Sequence, residues 1–325
     1  MSLEEIRLAQ QRCLAGEILE PGMMLRLLAI PLDSAEDRML RRAAREVAAT
    51  VTGDRGYIWC AMGADYQPCP MNCRFCSLGE RWGIVKEGRT YSTAEILQTA
   101  ARFAAGGADY IVLRTTEYFR ISVLNELVAR LRKEVPGAYE VILNTGEFDV
   151  ETAKAMRAAG VDGIYHALRL REGVDTPFAP ETRLATLDSV YRSPLKLISL
   201  VEPVGPEHTN EEIVDSFQTI LRYGASISGA MARVPVRGTP LGEGPRLAEE
   251  RLAQITAVLR LSGGNVVRDI CVHPASAAAL SSGANVVVVE TGAIPRDAVP
   301  AGADWERFGL EQAKRLLHAA GYRKD

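Results

Sequence analysis

The feature that most constrains the fold is an alternation of short β-branched segments with amphipathic helical segments, which begins near Gly56. The predicted strands are Tyr57–Ala61, Tyr110–Leu113, Glu140–Leu143, Gly163–Ala167, Leu195–Leu200, Ser226–Ala232, Val266–Cys271 and Asn285–Val289. The predicted helices between them are Thr93–Ala105, Ile121–Lys133, Val150–Ala159, Glu181–Tyr191, Glu211–Tyr223, Leu247–Leu261 and Ala275–Ser281. Strands that alternate with helices pair in parallel through right-handed crossovers. A set of about eight such units favours a closed (β/α)8 TIM-type barrel over an open sheet.

The segments on either side of the barrel region are predicted to be helical. Leu3–Ala15 and Ala35–Val51 carry charges among spaced apolar residues, and a last helix, about Trp305 to Ala320, is expected to pack outside the barrel. The predicted organisation is an N-terminal helical extension (1–52), the barrel (53–297) and a C-terminal helical extension (298–325).

Charge and hydropathy exclude several classes of partner. A net charge of −3 gives no basic footprint for nucleic acid. No apolar run reaches the roughly 18 residues of a membrane helix, and the charged start MSLEEIRLAQQRC does not resemble a signal peptide. We therefore expect a cytoplasmic protein without nucleic-acid or membrane partners. Its 6 cysteines should be reduced there, which favours metal or redox roles over disulfides.

Three cysteines lie close together in the loop after the first predicted strand, in the run Cys69-Pro-Met-Asn-Cys73-Arg-Phe-Cys76. Thiolates with this C-x3-C-x2-C spacing can hold three irons of a cubane cluster and leave the fourth iron open. A structural zinc usually takes four ligands, and the following SLGERWG supplies no nearby fourth one. Barrel enzymes place their chemistry in such loops. The spacing predicts a [4Fe–4S] cluster.

The loop, with Phe75 before its last cysteine, resembles the signature of the radical S-adenosylmethionine (SAM) superfamily. Downstream segments resemble the biotin synthase-like branch, which includes biotin synthase, methylornithine synthase, a hydrogenase maturase and two-protein lipoyl synthases. These segments are AAGVDGIYHALRLREG, ETRLATL, LISLVEPVGPEHT, VRGTPLGE and SSGANVVVVETGAIPRD. The resemblance implies an enzyme that cleaves SAM by one electron to a 5′-deoxyadenosyl radical, which abstracts hydrogen from an unactivated carbon.

The resemblance also implies contacts to SAM. The backbone of Phe75 would contact the adenine, Glu117 the methionine amino group and Arg183 the methionine carboxylate. Glu202 would lie near the adenosine. Each of these charges has an alternative as a solvated group at a helix or strand end. The Asn and Asp that follow the fourth-strand His region in biotin synthase are missing after His166, so the ribose contact and the substrate stay open.

Further charged residues are candidates for the substrate pocket. Arginines are expected at strand ends, and several together would suit an anionic substrate or partner, although each can equally form an outward salt bridge. His166 is expected to line the pocket, although a single histidine is more often structural. These substrate candidates are Arg114, His166, Arg169, Arg233 and Arg268.

Cys60, Cys271 and Cys13 lie outside the loop. Sulfur-inserting members of the superfamily keep a second iron–sulfur cluster. These three thiols could ligate such an auxiliary cluster, with Arg268, His273 or a serine as the fourth ligand. The alternative is that each is a small buried hydrophobic residue. Cys60 and Cys271 lie in predicted barrel strands, where both could point into the barrel.

Two enzymatic hypotheses and one non-enzymatic hypothesis remain. The leading one is sulfur insertion, as in biotin or lipoyl synthases, whose partner would be an octanoylated carrier protein or a second radical SAM protein. The alternative is radical rearrangement or metallocofactor assembly without sulfur donation. The third is a non-enzymatic iron–sulfur scaffold. Either enzyme would need a reductant such as ferredoxin or flavodoxin.

Overall fold

The computed structural model describes residues 2–291 and 308–324. The strands are β1 (Tyr57–Gly63), β2 (Asp65–Tyr66), β3 (Arg89–Thr90), β4 (Tyr110–Arg114), β5 (Glu140–Asn144), β6 (Gly163–Tyr165), β7 (Lys196–Ile198), β8 (Val201–Val204), β9 (Ile227–Ala232), β10 (Asp269–His273) and β11 (Val286–Thr291). The helices are α1 (Leu3–Leu14), α2 (Pro21–Leu28), α3 (Ala35–Thr52), α4 (Thr93–Ala105), α5 (Ile121–Glu134), α6 (Val150–Ala158), α7 (Pro180–Tyr191), α8 (Asn210–Arg222), α9 (Glu249–Ser262), α10 (Ala277–Leu280) and α11 (Leu310–Ala319).

The predicted barrel is confirmed. Parallel pairing runs through β1, β4, β5, β6, β7, β9, β10 and β11, and β11 pairs with β1 to close the ring. The short strands β2 and β3 pair antiparallel with each other and bracket the cysteine loop in sequence. Closure places the carboxyl ends of all the barrel strands, and the loops that follow them, around one mouth.

Two barrel strands differ from their predicted bounds. The segment predicted as one fifth strand is split into β7 and β8 at Ser199–Leu200, and β8 pairs with β9 with a register shift. The seventh strand begins at Asp269 instead of Val266, because the amides of Val266 and Val267 donate to the carbonyl of Gly263 at the end of α9. Residues 266–268 therefore connect the turn after α9 to β10 and are not part of the strand.

The N-terminal extension contains a helix that the sequence reading did not separate. Pro21 is the first residue of α2, where its missing N–H costs no hydrogen bond. Ser92 caps α4 in a capping box with Glu95, and Thr209 caps α8 in a capping box with Glu212. Residues 305–307 of the predicted last helix lie outside the described residues, and α11 begins at Leu310.

Side chains alternate between two packing surfaces along each barrel strand. The outer surface packs on the helices, and the inner one fills the barrel with Trp59, Ala61, Val112, Ile142, Tyr165, Ile198, Leu200, Ile227, Cys271, Val286 and Val288. At the carboxyl ends of the strands the inward positions become polar, as at Arg114, Asn144, His273 and Glu290. Polar inward residues at this end mark the expected position of a site.

Candidate functional site

The cysteine loop is held by its own backbone hydrogen bonds. The amide of Cys69 donates to Leu78 O (2.6 Å), the amide of Cys76 donates to Cys73 O (3.0 Å), and the indole of Trp82 donates to the same carbonyl (3.3 Å). These bonds satisfy part of the loop backbone from within the segment itself. The three cysteine side chains, with Phe75, line one cavity of about 250 Å³ that continues into the barrel.

The loop suits an iron–sulfur cluster by donor chemistry and by placement. Three thiols from one short loop line the same cavity, and thiolates are the usual ligands of such clusters. Burial raises the pKa of Cys73 to about 12, so this side chain is a neutral thiol until a metal displaces its proton. Cys69, Cys73 and Cys76 would hold the cluster, as the spacing predicted.

A network of charged side chains lies at the barrel mouth beside this loop. Arg183 on α7 pairs with Glu147, and its guanidinium lies 3.6 Å from Glu172 and 4.0 Å from Glu117. The Phe178 ring stacks against the guanidinium at 3.6 Å from its centroid, a cation–π contact. Burial raises the pKa of Glu117. Arg183 and Glu117 both line the cavity, close enough to bind one small zwitterion.

Arg169 and Glu202 extend this network along the next strands. The guanidinium of Arg169 lies 3.6 Å from Glu202, and Glu202 also accepts a hydrogen bond from the Tyr165 hydroxyl. Both charged residues line the cavity. The four residues that the family resemblance assigned to SAM, namely Phe75, Glu117, Arg183 and Glu202, therefore surround one space. Their assignment to SAM stays a prediction.

A second charged group lies at the carboxyl ends of β4, β10 and β11. Arg114 at the end of β4 donates to Glu290 on β11 (2.6 Å), and His273 on β10 lies 3.6 Å from the same carboxylate. The side chains of Arg114 and Glu290 are only 11% and 12% exposed. All three line the cavity. Arg114 therefore lies where the sequence placed it, and it is already neutralised by a carboxylate.

The other residues predicted to line the pocket lie in different places. Arg233 lines the cavity but is bound to Glu207, whose pKa it lowers to about 2 by hydrogen bonding. Arg268 lies before β10, at the end of the barrel away from the mouth, because the strand begins only at Asp269. His166 faces away from the interior, since Tyr165 before it faces inward. It lies 3.4 Å from Glu147, and burial lowers its pKa.

The three spare cysteines are not brought together. Cys271 faces the barrel interior, whereas Cys60 does not point into the barrel and faces the outer surface that packs on the helices. Cys13 lies on α1 and its thiol contacts the carbonyl of Arg260 at 3.4 Å. Burial raises the pKa of all three thiols. In this arrangement they behave as small buried apolar side chains and cannot ligate one common cluster.

Sequence reasoning missed several residues of the site. Glu290 ends a run of four valines, and a charged residue at the carboxyl end of a barrel strand is a signal for the mouth. Glu147 and Glu172 lie in loops without any recognisable spacing, and the fold alone brings them to Arg183.

Residues 66–172 match the model of the Radical SAM superfamily, and this range contains the cysteine loop, Glu117 and Arg169. Among curated proteins, biotin synthase of Persephonella marina is 23% identical over 271 residues, which are 80% of this chain and 79% of that protein. Biotin synthase of Geobacter sulfurreducens is 26% identical over 260 residues, covering 77% and 78%. Residues 66–172 therefore carry a radical SAM domain, and the chain is similar to biotin synthases.

Solved structures share the architecture of this chain over nearly its whole length. Methylornithine synthase superposes with a TM-score of 0.80 at 18% identity and covers 98% of this chain and 97% of its own. The [FeFe]-hydrogenase maturase HydG gives a TM-score of 0.82 at 13% identity, covering 99% and 76%. At these identities the likeness describes the barrel and its helical extensions and leaves the reaction open.

None of the helices in the described residues is both long and apolar enough to cross a membrane.

Proposed function

We propose that this chain is a radical SAM enzyme that abstracts hydrogen from a small substrate held inside the barrel. The observation that carries the proposal is one continuous cavity. It is lined at the mouth by Cys69, Cys73 and Cys76, beside them by Glu117 and Arg183, and further in by Trp59 and Tyr165. From its mouth inward, the cavity therefore offers a loop for the cluster, a site for a zwitterion and a partly apolar interior.

When bound, the cluster supplies the electron that cleaves the SAM sulfonium to methionine and a 5′-deoxyadenosyl radical. The chain's own residues bind SAM and orient it. Arg183 and Glu117 would hold the methionine carboxylate and amino group, and Phe75 and Glu202 would lie along the adenosine. The apolar interior limits water near the reacting carbon. A reductant such as ferredoxin or flavodoxin would supply the electron from outside.

Within this class we favour hydrogen abstraction for rearrangement or metallocofactor assembly over sulfur insertion. Sulfur insertion would draw on an auxiliary cluster, and the candidate ligands Cys13, Cys60 and Cys271 lie on three different surfaces. The sulfur-insertion hypothesis also supplied the two candidate partners, an octanoylated carrier protein and a second radical SAM protein. Both are therefore disfavoured for the same reason.

The experiment is anaerobic reconstitution followed by reduction in the presence of SAM. We expect 5′-deoxyadenosine to form, at least slowly, without added substrate. Cys73→Ala should lose the cluster absorbance and reduce product formation by about 100-fold or more, because one of three protein ligands is gone. Cys13→Ala is the matched control, since its thiol lies on α1, and it should retain both signals.

An intact cluster in wild-type protein that yields no 5′-deoxyadenosine would contradict the proposed reaction and favour an iron–sulfur scaffold. A four-iron spectrum retained by Cys73→Ala would contradict the ligand assignment.

A further inference from the structure

The cavity is lined by two cation–carboxylate pairs, Arg183 with Glu117 and Arg114 with Glu290. Under the proposed function, Arg183 and Glu117 take the methionine end of SAM. The second pair, Arg114 with Glu290, has no role in that assignment, yet it is almost completely removed from solvent and lines the same space. A buried ion pair is a poor source of stability, since apolar residues of similar volume usually do as well.

The strand between the two partners has small residues that leave space for this pair. β1 lies between β4 and β11, and the positions next to Arg114 and Glu290 on β1 are Gly63 and Ala61. Because these residues have little or no side chain, the Arg114 guanidinium can cross over β1 and reach the Glu290 carboxylate at 2.6 Å. His273 lies beside that carboxylate at 3.6 Å.

The charge balance at this pair selects the ligand. A ligand with only a carboxylate would add a net negative charge to a pair that is already neutral and largely removed from solvent. A ligand with only an ammonium group would bring a positive charge against Arg114. A ligand with both groups keeps the site neutral, because its carboxylate can contact Arg114 and its ammonium can contact Glu290. The Arg183–Glu117 pair would bind the carboxylate and the ammonium group of the SAM methionine in the same way.

The surroundings limit the rest of the ligand. Trp59 and Tyr165 pack edge to face at 5.3 Å below the charged pair, and Val288 lies two residues before Glu290 on the same face of β11. These groups suit a short, mostly apolar side chain. The cavity of about 250 Å³ admits a small molecule and leaves no space for a folded carrier domain inside the barrel.

We propose that the substrate is a free α-amino acid, held by its carboxylate on Arg114 and its ammonium group on Glu290. This inference rests on the proposed function and narrows its substrate to a class. Hydrogen abstraction would then occur on the amino-acid side chain, which points toward the interior between Trp59, Tyr165 and Val288.

The test is calorimetric titration of the cluster-loaded protein, in the presence of SAM, with the twenty proteinogenic L-amino acids. We expect at least one to bind. Its N-acetyl and carboxamide derivatives, which each lose one charge, should bind about tenfold more weakly or worse. Arg114→Gln and Glu290→Gln should each weaken the binding of the free amino acid by about tenfold or more. Arg130→Gln and Glu134→Gln, from an exposed helical ion pair, are the matched controls and should leave binding unchanged.

A second readout is transfer of deuterium from the perdeuterated amino acid into 5′-deoxyadenosine. If the protein cleaves SAM without substrate but binds none of the amino acids, the substrate inference is overturned and the proposed function stands. Loss of SAM binding in Arg114→Gln and Glu290→Gln, with amino-acid binding unchanged, would also overturn it, since the pair would then belong to SAM. Failure of wild-type protein to cleave SAM at all defeats the proposed function itself, and the calorimetry still reports on the pair.

Discussion

Asp175 shows how one buried carboxylate can organise the cluster loop. Its side chain is only 4% exposed and lies 2.9 Å from the guanidinium of Arg74, the residue that follows Cys73. The amide of Arg74 donates to the carbonyl of Asp175 (2.8 Å), and the carbonyl of Arg74 accepts from Leu241 (3.0 Å). The loop is thereby fixed by contacts from two other segments of the mouth.

We expect Asp175→Asn to load its cluster and lose it faster. The substitution keeps the side-chain shape and removes the charge that Arg74 faces. Because the Arg74 side chain is half exposed, we expect a loss of about 1 kcal/mol, or roughly fivefold in the rate of iron release. The measurement is iron transfer to a chelator from reconstituted protein. Asp188→Asn, which removes an exposed arginine partner on α7, is the control. Equal release rates in wild type and Asp175→Asn would refute this role.

At the same scale, the sequence identified residues with a local pattern and missed those without one. Cys69, Cys73 and Cys76 form a spacing within one loop, so they could be recognised directly. Glu147 and Glu172 reach Arg183 only because β5, β6 and α7 meet at the mouth. Arg268 was misplaced because the strand after it begins later than its β-branched residues suggested.

At the scale of elements, helices were predicted more closely than strands. Caps and amphipathic spacing define a helix locally, as Ser92 does for α4. The limits of a barrel strand depend on its neighbours. The break between β7 and β8 and the late start of β10 follow from pairing with β9 and from the turn after α9, which no local pattern encodes.

The junction of β9 and β10 contains a glycine that the pairing requires. Gly229 has φ +144° and lies opposite Cys271, and a Cβ at this position would overlap the Cys271 backbone. We expect Gly229→Ala to lower the free energy of unfolding by about 3 kcal/mol, because it adds backbone strain and forces the two strands apart. Urea unfolding measures this loss. Gly244→Ala, in an exposed loop where an added Cβ would lie 3.9 Å from the carbonyl oxygen of Leu241, is the control and should change stability by less than about 0.5 kcal/mol.

If Gly229→Ala proves as stable as wild type, the close approach of β9 and β10 is not a constraint on closure of the barrel.

At the scale of the whole molecule, the alternation of strands and helices was sufficient to predict the closed barrel, since parallel pairing and right-handed crossovers leave few other arrangements. The direction in which each cysteine points was not predictable, because shifting a strand by one residue exchanges its two faces. Cys60 and Cys271 both lie in barrel strands, and only the register of the ring separates one from the other.

The number of clusters per molecule follows from that separation. Cys13 lies on the N-terminal extension, Cys60 on the outer surface of the barrel wall and Cys271 inside it, so no common cluster can form on the three. We expect about four irons per chain after anaerobic reconstitution. That value should be unchanged in Cys13→Ser, Cys60→Ser and Cys271→Ser and lost in Cys69→Ser. Iron and sulfide analysis with absorbance spectra measures it. A value near eight irons that falls in Cys271→Ser would establish an auxiliary cluster and return sulfur insertion to the leading position.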